Sequence, residues 1–64
     1  MAKYLACWDS KYYDVDKKSS TQTHTLTWFN EKRGYTKTSI SKIKKLRVGQ
    51  SIEIEKGHTI VRLS

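Results

Sequence analysis

Thr36-Lys37-Thr38-Ser39-Ile40-Ser41-Lys42-Ile43-Lys44-Lys45-Leu46-Arg47-Val48-Gly49 is the stretch on which the fold depends. Ile40, Ile43 and Leu46 recur every three residues, which gathers them into one stripe on a helix but splits them between the two faces of a strand. Thr36 or Thr38 can cap the N-terminus, and Gly49 stands just past the last apolar position, where helices commonly end. The pattern predicts a helix over residues 37–47. A helix this short does not persist alone in water, so its stripe must pack on a sheet.

Strands are expected on both sides of it. Residues 21–29, Thr-Gln-Thr-His-Thr-Leu-Thr-Trp-Phe, alternate threonine with a second residue type as far as Trp28, and β-branched threonine suits a pleated surface. Alternation puts Gln22, His24, Leu26 and Trp28 on one face, expected to be the inner one, and Phe29 on the other. Asn30-Glu31-Lys32-Arg33-Gly34 then breaks the strand, with Gly34 free to take a left-handed backbone. Residues 51–64 read as a hairpin turning at Lys56-Gly57. A two-residue loop pairs Glu55 with His58, Ile54 with Thr59 and Ile52 with Val61, which would collect Ile52, Ile54, Val61 and Leu63 on one apolar side.

Near the N-terminus, residues 3–8 (Lys-Tyr-Leu-Ala-Cys-Trp) form a further strand, and Asp9-Ser10 is a turn signal. Residues 11–15 could return as a second strand before the loop of residues 16–20. The expected architecture is α+β, a small antiparallel sheet of about four strands with one amphipathic helix on one face, in the order β-(β)-β-α-β-β.

The length of 64 residues allows one domain, spanning 1–64, whose fold buries roughly 60% of the unfolded chain's surface. Leu, Ile, Val and Phe number thirteen, so the two Trp and four Tyr are needed as apolar bulk. A single cysteine, Cys7, allows no internal disulfide, which fits a reducing, cytoplasmic compartment. No signal peptide or membrane span is expected, since charge interrupts every apolar run early.

The net charge of +7 is concentrated in one quarter of the chain. Residues 32–47 carry Lys32, Arg33, Lys37, Lys42, Lys44, Lys45 and Arg47 and no acid, while the other 48 residues hold six basic and six acidic side chains. With the isoleucine stripe inward, Lys37, Ser41, Lys44 and Lys45 face solvent and Lys42 lies at a flank. A plain surface helix accounts for Lys44, Lys45 and Arg47, which complement the negative end of the helix dipole. It does not account for Lys37 at the positive end, nor for the absence of acids that would form i,i+4 pairs.

An anionic partner is therefore expected. Trp28, Phe29 and Tyr35 flank the basic segment as candidates for stacking on bases, although a domain this small also needs large rings for its core. Tyr4, Trp8, Tyr12 and Tyr13 form a second aromatic group, read as core, with an exposed protein-binding patch as the alternative. Cys7, Asp9, His24 and His58 have no compact metal-ligand spacing, and neither a metal nor a cofactor is expected. Glu53 and Glu55, two apart on one strand, read as a solvated face rather than a catalytic pair, and no phosphate loop or nucleophile motif occurs.

The segment Trp28-Phe29-Asn30-Glu31 with Arg33-Gly34-Tyr35-Thr36, followed by the Ile40/Ile43/Leu46 helix and Arg47-Val48-Gly49-Gln50 leading into a hairpin, resembles small uncharacterised proteins encoded by bacterial viruses. The resemblance covers residues 28–64 and brings no site residue with it. It implies an accessory protein acting in the cytoplasm of a bacterial cell.

These readings converge on a small basic, non-enzymatic protein that binds DNA or RNA with weak sequence specificity, since phosphate contacts carry affinity without sequence information. The alternative is a viral protein that inhibits a host protein by engaging its acidic surface with the same basic face. Neither reading involves a membrane or a small-molecule substrate.

Overall fold

The computed structural model describes residues 2–14 and 20–64. Four strands, β1 (Lys3–Trp8), β2 (Thr21–Thr25), β3 (Ser51–Glu55) and β4 (His58–Arg62), form one antiparallel sheet in the order β2-β1-β4-β3. One helix, α1 (Lys37–Lys44), packs on one face, which gives the α+β class and the order β-β-α-β-β. No helix among the described residues is long and apolar enough to cross a membrane.

The two central strands come from opposite ends of the chain. Tyr4 pairs with Arg62, Ala6 with Ile60 and Trp8 with His58, and β2 lies on the other side of β1 with His24 opposite Tyr4. Directly opposed residues point to the same face, so Tyr4, Ala6, Trp8, His24, His58 and Ile60 form the inner surface. Against it stand Ile43 and Leu46, buried, and Ile40, partly buried. Phe29 and Tyr35, from the segment between β2 and α1, complete the core.

Four sequence expectations are corrected here. The strand predicted over 21–29 stops at Thr25, and Leu26–Trp28 forms a 3-10 turn closed by the Phe29 N–H donating to Leu26 O at 3.1 Å. Strict alternation would force Trp28 and Phe29 to opposite faces; the turn instead buries Phe29 to 2% exposure and half-buries Trp28. Phe29, expected to face outward and stack on bases, is a core residue.

The helix ends at Lys44, three residues early, because its continuation has other partners. Arg62 Nη1 donates to Leu46 O at 2.7 Å, and the Arg47 N–H donates to Gln50 Oε1 at 2.9 Å. The N-terminal expectation resolves to Thr36, whose hydroxyl accepts from the Ser39 N–H at 3.1 Å.

The hairpin does turn at Lys56-Gly57 with Glu55 opposite His58, but Glu53 opposes Thr59 and Ile52 opposes Ile60. A bulge at Ile54 inserts one residue and shifts the register. Val61 and Leu63 therefore leave the expected apolar side, and Ile60, fully buried, takes their place. The same bulge lies between Glu53 and Glu55, so Glu55 keeps its place opposite His58 while Glu53 moves opposite Thr59.

Over the described part of residues 11–15 there is a turn instead of a strand. Asp9 O accepts from the N–H groups of Tyr12 and Tyr13, and Asp9 Oδ1 from that of Lys11 at 2.9 Å. Val15 and, apart from Ser20, the loop expected at residues 16–20 lie outside the described residues. Tyr12 rests on Gly57 and is 51% exposed, so of the N-terminal aromatics only Tyr4 is fully core.

A candidate aromatic and basic cleft

Asn30 builds the turn that carries the first two cations of the basic segment. Its side-chain oxygen and its carbonyl both accept from the Arg33 N–H, at 3.2 and 3.1 Å, and its Nδ2 donates to Thr27 O. The resulting 3-10 turn, Glu31–Arg33, ends at Gly34 with φ of 94°, a conformation that favours glycine. The chain then drops Tyr35 into the interior before Thr36 opens α1.

Lys32, Arg33 and Gly34 form one side of an open cleft of about 440 Å³, in the size range of ligand pockets. Trp8, Tyr13, Trp28 and Tyr35 supply its aromatic surface, and Glu55 and His58 come from the β3-β4 hairpin. Both tryptophans of the chain line it.

The deep part of the cleft is fixed by a chain of hydrogen bonds. His58, 3% exposed, has Nδ1 at 2.8 Å from Cys7 O, which can only accept, so this nitrogen carries the proton. In the neutral ring Nε2 is then the acceptor, and the Tyr35 hydroxyl donates to it at 2.9 Å. Trp8 stacks on the imidazole, with centroids 4.6 Å apart.

Burial first, and then the nearby Glu55, push the Tyr35 phenol up to about 12. Tyr35 is thus held as a neutral donor rather than an activated oxygen, and the pair ties the segment entering α1 to β4.

Nearer the mouth, the Tyr13 hydroxyl donates to Glu55 Oε2 at 3.2 Å, and burial together with that carboxylate raises the Tyr13 phenol. The Arg33 guanidinium lies 4.5 Å from the Trp28 ring centroid. His24 also stacks on Trp28, at 3.7 Å and 4° between planes, while its Nε2 meets Gln22 Oε1 at 2.9 Å. Burial and the Arg33 charge lower the His24 imidazole below its ordinary value.

The other predicted cations extend away along the chain. Lys37, Ser41 and Lys44 border a shallow groove with Ile40, whereas Lys42 projects from another side of α1. Lys45 is the residue that closes the helix, and Arg47 lies in the following turn, so neither occupies the helical position expected of it. All seven side chains are exposed, and none is paired with a carboxylate among the described residues. Of the predicted stacking residues, Trp28 lines the cleft partly exposed, Tyr35 lines it at 9% exposure, and Phe29 lies beneath it.

Trp8, Tyr13, Glu55 and His58 join the cleft although the sequence reading places none of them with the basic segment. The available signal is the turn at Lys56-Gly57, which puts Glu55 opposite His58; the pairing of His58 with Trp8 on β1 decides that this pair shares the inner face. No protein-family model matches the chain, and searches of curated proteins and of solved structures give no match.

Proposed function

We propose that this protein is a small non-enzymatic nucleic-acid-binding protein. Lys32, Arg33, Lys37, Lys42, Lys44, Lys45 and Arg47 contact phosphates, and the aromatic cleft at one end of that run receives a base. The observation that carries this reading is the set of seven exposed cations with no carboxylate partner among the described residues. Charges left unpaired at a surface give an attractive field for a polyanion and cost little in the free protein.

The cleft strengthens nucleic acid over an acidic protein surface as partner. Aromatic rings next to cations are the combination that single-stranded nucleic acids use, with rings on bases and cations on phosphates. A protein carboxylate offers nothing for the rings to stack on. Base edges along the helix find only Ser41 and Thr38 as uncharged polar side chains, so α1 itself reads little sequence.

The test uses the four cations that helix electrostatics do not explain. Replacing Lys32, Arg33, Lys37 and Lys42 together by Gln should weaken binding of labelled DNA and RNA oligonucleotides by tenfold or more. The circular dichroism spectrum should stay that of the parent. Unchanged affinity in the folded variant overturns the proposal, and capture of a single stoichiometric protein after nuclease treatment, with no oligonucleotide binding, supports the acidic-protein alternative.

A further inference from the structure

Among the described residues, Glu55 is the one carboxylate lining a cleft whose opposite charges come from Lys32 and Arg33, and no ion pair joins it to either. Acceptor and cations line the cleft together with aromatic rings. A ligand that satisfies both must present hydrogen-bond donors at one end, an anionic group at the other and a flat apolar body between them. A nucleotide has that layout.

The donors required narrow it further. An ionised carboxylate only accepts, and one of the Glu55 oxygens, Oε2, already receives the Tyr13 hydroxyl at 3.2 Å. That bond orients the carboxylate without exhausting its lone pairs, since two carboxylate oxygens offer about four acceptor sites. The Watson–Crick edge of guanine presents two adjacent donors, N1–H and N2–H. Adenine and cytosine each place one amino donor beside a ring-nitrogen acceptor, and uracil or thymine flanks its single N–H with two carbonyl oxygens. Against a carboxylate the order of fit is guanine, then adenine and cytosine, then uracil or thymine.

We infer that the cleft is a guanine subsite, with Glu55 accepting from the base's N1–H and N2–H, the rings of Trp8 and Tyr13 contacting its apolar body, and Lys32 and Arg33 meeting the adjoining phosphate. The inference rests on the nucleic-acid reading and adds base selectivity to it. Selectivity then resides in the hairpin carboxylate, while the helix supplies charge.

Because both tryptophans line the cleft, quenching of intrinsic fluorescence reports its occupancy directly. The experiment titrates the protein with GMP, AMP, CMP and UMP, each carrying one phosphate. GMP is expected to quench at concentrations about tenfold or more below those of UMP, as a bidentate base contact provides. Glu55→Gln replaces one acceptor with a donor and should bring GMP to parity with AMP.

Equal quenching by all four nucleotides, or a GMP preference that survives in Glu55→Gln, overturns the subsite. Oligonucleotide binding with a steep salt dependence in that case leaves the phosphate-binding reading standing. Absence of oligonucleotide binding at any salt removes the latter even if GMP quenches.

Discussion

At the residue scale the cleft is held by two histidines with different roles. His58 is a wedge between Cys7 O and the Tyr35 hydroxyl, and both of its nitrogens are satisfied. Tyr35→Phe leaves Nε2 buried without a donor, and its expected cost is about 1–3 kcal/mol, read from urea unfolding. The same variant should remove the phenol that titrates near pH 12 in the ultraviolet spectrum of the folded protein. His24, stacked on Trp28, acts through its charge. Its imidazole is lowered in the folded state from the ordinary 6.5, so the unfolded chain binds the proton first as pH falls. The stability His24 contributes is therefore full above pH 6.5 and is lost progressively below it, down through the lowered folded value. The melting temperature should drop between pH 7 and 5, and His24→Gln should flatten that drop; an unchanged profile contradicts this role.

Elements were legible where a period or a turn residue dictated them and illegible where a distant partner decided. The three-residue spacing of Ile40, Ile43 and Leu46 made α1 readable, and Ile43 is fully buried as that spacing requires. Its C-terminus was not readable, because the group that takes Leu46 O belongs to Arg62 on β4. The hairpin turn was readable from Lys56-Gly57, but Ile52 and Ile54 fit either phase of pairing, and the bulged register is the one that sets Ile52 opposite the buried Ile60. Trp28 and Phe29 show the limit of alternation: a 3-10 turn lets two adjacent rings both pack inward, which a strand forbids. The first turn of α1 contains no acid and begins with Lys37 at the positive end of the dipole. Lys37→Glu should therefore stabilise the fold by about 0.3–1 kcal/mol while weakening oligonucleotide binding. Loss of stability with unchanged binding would show that Lys37 serves the fold instead.

For the whole molecule, the basic run was visible in the sequence as composition, whereas the cleft was not, because β1, the turn after it, the two 3-10 turns and the hairpin all contribute walls. Those pieces meet only through the pairing of β1 with β4, first strand with last. The sheet and its inward rings thus serve as a frame that sets a small aromatic cleft at one end of seven cations that have no carboxylate partner among the described residues. The central claim is that these cations bind phosphates, and its most direct test is the salt dependence of affinity for a labelled duplex DNA. With five to seven phosphates neutralised, log affinity should fall against log salt with a slope of roughly −4.5 to −6. A slope near zero, with binding intact, would contradict the account.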